Sequence, residues 1–124
     1  MIAHSTQPTL PLLDAFVHGD ALVVHVGPTL DFRNAAGFRK SCEQYLRPGI
    51  RSLVLDLSRT GIIDSTGLGM LFGLHRHLMR KGGRVLCAAP SRSAEVVIDL
   101  TRSDKVLGKY PTVEAALQAT KQLN

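Results

Sequence analysis

A chain of 124 residues with 44% hydrophobic side chains has the length of one domain and the apolar content for a real core, which excludes a disordered tail. No apolar run approaches the roughly 20 residues of a membrane span, and the N-terminus lacks the basic, apolar and small-residue succession of a secretory leader, so a cytoplasmic protein away from the membrane is expected. The net charge of +5 raises nucleic-acid binding, but the basic residues are scattered. Their densest cluster, Arg76, Arg80, Lys81 and Arg84, has no interleaved aromatics, which fits a solvated helix end or an acidic protein partner rather than direct nucleic-acid contact.

Residues 1–10 are polar, contain Pro8 and show no period; they read as a flexible arm ahead of a domain over 11–124. Two apolar runs, Leu12 to Val17 and Ala21 to Val26, flank His18-Gly19-Asp20, a hairpin signal in which Gly19 can take positive φ. Asp31 or a neighbour can cap a helix reaching about Leu46, because Ala35, Phe38, Cys42, Tyr45 and Leu46 recur at helical spacing. After the break at Pro48-Gly49, Ser52 to Leu57 is a short run fit for a strand covered on both faces. A helix follows from about Ser65 to Arg80, stopped by Gly82-Gly83. Arg84 to Ala88 reads as a strand, Ser93 to Leu100 as a helix, and Val106 to Lys109 as a final strand. Pro111-Thr112 opens a last helix with Val113, Ala116, Leu117 and Leu123 turned inward. The order β-β-α-β-α-β-α-β-α predicts an α/β domain with a mostly parallel mixed sheet of about five strands and about four helices. Cys42 and Cys87 have no metal-ligand spacing and read as two reduced, buried thiols; no metal and no cofactor is expected.

The stretch from Ile63 to Gly73 carries the strongest signal. Hydroxyl side chains stand at a helix start, where unpaired N–H groups and the positive dipole end suit an anion or a phosphate. Three glycines, Gly67, Gly69 and Gly73, then lie inside the helical pattern. Each is unfavourable by about 1 kcal/mol against alanine, which is easier to understand where something approaches the backbone closely. At about 100° per residue, Gly67, Met70, Leu71, Leu74 and Leu78 share the face expected on the sheet. Gly69, Phe72, Gly73, Arg76 and Arg80 share the opposite face, which reads either as packing on a neighbouring helix or as a docking surface with an apolar anchor and a basic rim. Ser65 taken alone can be an ordinary N-cap. A serine nucleophile finds no support: the string is not Gly-x-Ser-x-Gly, His75 lies some 15 Å further along the helix at about 1.5 Å per residue, and nothing ties His18 or His25 to it. No catalytic residue is expected.

In this strand–helix context the string Asp64-Ser65-Thr66-Gly67-Leu68-Gly69, with Gly73 beyond it, resembles the signature of the anti-sigma factor antagonists of the STAS family. The resemblance runs from about Leu12 to Leu123 and includes Gly27-Pro28-Thr29-Leu30-Asp31, Val54-Leu55-Asp56-Leu57-Ser58 and Lys81-Gly82-Gly83. It implies a STAS-like sheet flanked by helices and a cytoplasmic, non-enzymatic protein-binding module acting as a monomer or weak dimer. It implies that Ser65 is phosphorylated by a partner serine kinase, often the anti-sigma factor itself, and reset by a phosphatase. The unphosphorylated form would bind the anti-sigma factor and release a sigma factor, regulating transcription by partner switching. Asp31, Asp64, Thr66, Gly67, Gly69, Phe72, Gly73 and Arg76 are the expected partner-binding residues. A STAS accessory subunit of a transporter or lipid-transport complex is the second reading, disfavoured by the intact Ser65-Thr66 pair.

Overall fold

The computed structural model describes residues 13–121. The expected arm over 1–10 and the inward role of Leu123 lie outside them. Strand β1 (Ala15–His18) and strand β2 (Ala21–His25) pair antiparallel through a two-residue turn in which Gly19 has φ +62°, as the hairpin signal predicts. β2 then lies parallel to β4 (Ser52–Asp56), β4 to β6 (Val85–Ala88), and β6 to β7 (Lys109–Tyr110). The sheet order is β1-β2-β4-β6-β7, mixed only at its hairpin edge.

Register explains the apolar runs. Leu22, Leu53 and Val85 stand side by side, as do Val24, Leu55 and Cys87, and this row faces the larger core. Their neighbours Val23, Val54 and Leu86 face the smaller core on the opposite side. A strand buried on both faces cannot alternate in polarity. Helices α1 (Ala35–Tyr45), α2 (Ser65–Met79), α3 (Arg92–Leu100) and the one-turn α4 (Asp104–Leu107) cover the first face. Helix α5 (Val113–Thr120) covers the second through Ala116, with Val113 and Leu117 beside it. Ser91 and Thr112 cap α3 and α5 by accepting from the Ala94 and Ala115 amides.

Two features depart from the sequence reading. The expected strand over Val106 to Lys109 is split: Val106 and Leu107 belong to α4, Gly108 turns the chain at φ +77°, and the strand is Lys109–Tyr110. The helical turn lets Leu107 enter the core, where it is fully buried, and this brings the helices to five among the described residues. A second, two-stranded parallel sheet was not foreseen. It joins β3 (Thr29–Leu30) to β5 (Ile62–Ile63), just before α1 and α2. Both cysteines are free and buried, and burial pushes each thiol up to about 12, which makes them unreactive core residues.

Candidate functional site

The small β3–β5 sheet fixes how α2 begins. Pairing of Leu30 with Ile63 brings the loop after β3 against the first turn of α2. Asp64 then locks the two together. Its Oδ1 accepts from the Gly67 amide at 2.8 Å, capping α2, and its Oδ2 accepts from the Phe32 amide at 2.9 Å. One carboxylate therefore satisfies an orphan donor of the helix and ties down a loop 32 residues earlier in the chain. The cap is Asp64, so Ser65 is released from that duty. Ser65 and Thr66 are exposed, and neither hydroxyl has a hydrogen-bond partner among the described residues.

Asp31 does not cap α1 with its side chain. Its backbone carbonyl accepts from Asn34 and Ala35. Its carboxylate is buried and takes the Arg33 guanidinium at 2.8 Å and the Arg33 amide at 3.0 Å. The hydrogen bond from the Arg33 side chain holds the Asp31 carboxyl below the usual carboxylate range. Asn34, at the start of α1, bonds back to Thr29 and Asp31 instead of capping forward. Asp31 therefore braces the loop.

The three glycines of α2 have three different surroundings. A Cβ on Gly67 would lie 2.2 Å from the Leu30 carbonyl oxygen, so this glycine exists because α2 presses on β3. A Cβ on Gly73 would meet the Arg39 Nη1 at 2.7 Å, and Gly73 is buried beneath α1. Gly69 alone is exposed, with nothing within 4 Å of its would-be Cβ. Within the expected docking face, Gly67 and Gly73 are buried and closely packed, while Gly69 and Arg76 are exposed. Phe72 is half-buried and packs against the main core, which favours the packing alternative for that ring.

The apolar exposure near Ser65 comes from residues the sequence reading passed over. Phe32 is 72% exposed and Ile62 54%. Phe32 is placed by the Asp64 bond, Ile62 by its position in β5, three residues before Ser65. Arg33 has its guanidinium 6.0 Å from the Phe32 ring centroid, within cation–π range, and the Asp64 charge also acts on it. The available signal was Asp31-Phe32-Arg33-Asn34, a large aromatic set in a polar loop. The site therefore presents two free hydroxyls, a bare glycine, two apolar side chains and a guanidinium at a helix N-terminus. No metal-binding group of three or more His, Cys, Asp or Glu occurs among the described residues, and none of their helices is long and apolar enough to cross a membrane. His25 meets Asp56 at 2.7 Å on the sheet face that α5 shares, while α2 packs on the other face.

The sequence pattern of the STAS domain matches residues 13–116. A Thermotoga maritima protein named as a candidate anti-sigma factor antagonist is 26% identical over 104 residues, 83% of this chain and 92% of that one. The crystal structure of an anti-sigma factor antagonist from Mycobacterium paratuberculosis is 27% identical and superposes with a TM-score of 0.73 over 89% of this chain and 93% of its own. The anti-sigma factor antagonist SpoIIAA has been solved in unphosphorylated and phosphorylated forms. Its unphosphorylated form matches the fold with a TM-score of 0.72 at 20% identity, over 90% of this chain and 98% of its own.

Proposed function

This chain belongs to the STAS domain family, and from that premise we propose that it is an anti-sigma factor antagonist switched by phosphorylation of Ser65. The observation that carries the reading is the freed hydroxyl: Asp64 performs the capping, so Ser65 stands exposed at the first position of α2 with no bond to break. In the unphosphorylated form Phe32, Ile62, Thr66 and Gly69 dock the anti-sigma factor, a serine kinase. Phe32 is the apolar anchor, with Arg33 and Arg76 on its rim. A phosphatase resets the switch.

Phosphorylation acts through charge and bulk and needs no change of fold. The phosphate brings about −1.5 to −2 charges at neutral pH. The α2 dipole offsets part of this, by about 0.3–2 kcal/mol. A partner carboxylate about 5 Å away adds roughly 3 kcal/mol of repulsion per charge pair at an effective dielectric near 20, which is about a hundredfold in affinity. Exposed apolar side chains beside the acceptor make that surface suited to a protein rather than to a small substrate.

The test uses the full chain, the candidate anti-sigma kinase and Mg-ATP, with the modified residue mapped by peptide mass spectrometry and affinity measured before and after. Ser65→Ala is expected to resist modification and keep binding. Ser65→Asp is expected to bind more weakly, though one carboxylate imitates only part of the phosphate charge. Modification confined to Thr66 would show that the neighbouring hydroxyl is the acceptor, and equal affinity of the two forms would remove the charge switch.

A further inference from the structure

The far end of α2 borders a cavity of about 370 Å³, within the range of small-molecule sites. His75 and Met79 of α2 line it, with the Gly82–Arg84 turn on one side and α4 and Gly108 on the other. Arg84 is held there by the backbone: its carbonyl accepts from the Leu53 amide at 3.0 Å, where β4 and β6 begin. Gly108 makes room for the guanidinium, since a Cβ there would lie 2.6 Å from the Arg84 Nη2.

That guanidinium is incompletely partnered. Nη2 donates to the Tyr110 hydroxyl at 3.2 Å. Nε is the one buried side-chain nitrogen or oxygen without a partner among the described residues. Arg84 takes part in none of the ion pairs among them. A half-buried cation lacking a counter-charge is unfavourable unless an anion completes it.

The other walls agree in sign and shape. Lys105 is exposed and, like Asp104, belongs to none of those ion pairs. Two cations therefore face one carboxylate. His75 does not alter the balance: its Nδ1 accepts from the Val85 amide at 3.1 Å, which fixes the ring as neutral with its proton on Nε2. Met79 and Val106 supply apolar wall and are 59% and 47% exposed. Such a wall is wasted on a bare inorganic ion and suits a ligand with a hydrocarbon part.

We propose that this cavity binds a small organic anion, its acid group held by Arg84 and Lys105 and its apolar body resting on Met79 and Val106. The site stands at the opposite end of α2 from Ser65 and does not depend on the partner-switch reading.

The test is a 15N NMR titration of the full chain with four probes: benzoate, phenyl phosphate, inorganic phosphate and benzylamine. Benzoate or phenyl phosphate is expected to shift the Gly82, Gly83, Val106 and Gly108 amides saturably, with a Kd of about 1 mM or tighter. Whichever acid binds more tightly identifies the natural group as carboxylate or phosphate ester. Arg84→Gln is expected to weaken binding at least about tenfold, and Lys105→Gln, on the exposed face of α4, about threefold or more. If Arg84→Gln does not fold, Lys105→Gln decides. The proposal is overturned if neither acid gives a saturable shift at these amides, if inorganic phosphate binds as tightly as phenyl phosphate, or if benzylamine binds more tightly than both acids. Parental affinity in Lys105→Gln would overturn it as well.

Discussion

The two ends of α2 are built from different materials. At the N-terminal end a single acidic side chain, Asp64, ties the helix to a distant loop and leaves hydroxyls, a glycine and two apolar side chains open. At the C-terminal end the chain turns on Gly82, with φ +81°, and basic side chains gather around a concave space. One end presents exposed apolar side chains, which suit the docking of a protein. The other is a hollow with an unpaired guanidinium, the form of a small-ligand site. Ser65 and Met79 are the first and last of the 15 residues of α2, so one helix carries two sites of different make-up at its two ends.

The sharpest test of this contrast lies among the glycines of α2. Gly67→Ala is expected to destabilise the fold by about 3 kcal/mol, because the added Cβ meets a backbone carbonyl that cannot rotate away. Gly69→Ala, with open space around it, is expected to stabilise the fold by up to about 1 kcal/mol while weakening partner binding. Urea denaturation of both variants, beside a binding assay for Gly69→Ala, separates a packing glycine from a docking one. Similar stability losses in the two would erase the distinction.

Asp64→Ala comes next. It removes a helix cap and the bond to Phe32 together, and a loss of about 1–2 kcal/mol is expected. The change should also loosen the Phe32 loop, so partner affinity should fall along with stability. Unchanged amide exchange at Phe32 in this variant would mean that Asp64 does not hold the loop.

The two phenylalanines divide the roles of surface and core. Phe32→Ala is expected to leave stability within about 0.5 kcal/mol of the parent, as for an exposed side chain, and to weaken partner binding by more than about 1 kcal/mol. Phe72→Ala should do the reverse, lowering stability by about 1–3 kcal/mol through lost packing on the core. The pair is read by thermal melting and by titration against the anti-sigma factor. Equal effects on binding would return Phe72 to the docking surface.

How much of this was legible in the sequence depended on whether the signal was local. The hairpin at Gly19, the covered strand over Ser52 to Asp56 and the start of α2 are each written in consecutive residues, and all three stand where the pattern places them. Glycine spacing in α2 was visible, but helical geometry could not show what each glycine faces. Gly67 meets Leu30 and Gly73 meets Arg39 across long stretches of chain. The β3–β5 sheet was invisible because two-residue strands carry no period, and the exposure of Phe32 followed from that sheet and from Asp64. Leu107 was misplaced because an apolar run of a few residues does not distinguish a strand from a helical turn. The basic cavity was the least legible of all, since its lining comes from two stretches of chain, 75–84 and 104–108, that only the finished fold brings together.

His75 offers the smallest effect and a check on the basic end. The ring is buried, accepts from the Val85 amide, and is held below the usual histidine range by burial first and by the Arg84 charge second. Protonation would abolish the acceptor and add a second cation beside Arg84. The unfolded chain takes up this proton near pH 6.5 and the folded protein only at lower pH. The histidine's contribution to stability is therefore complete above about pH 6.5 and is lost as the pH falls below that value toward the folded one. Asp31 and Asp56 do not confuse the window, because both are held below the ordinary carboxylate range. His75→Asn keeps an acceptor for Val85 in a side chain that does not titrate. Denaturation midpoints at pH 7.5 and pH 5.5 should show the parent losing more stability than this variant over the interval. Equal losses would mean that His75 is protonated as readily in the folded chain as in the unfolded one, and that neither its burial nor the Arg84 charge disfavours the imidazolium.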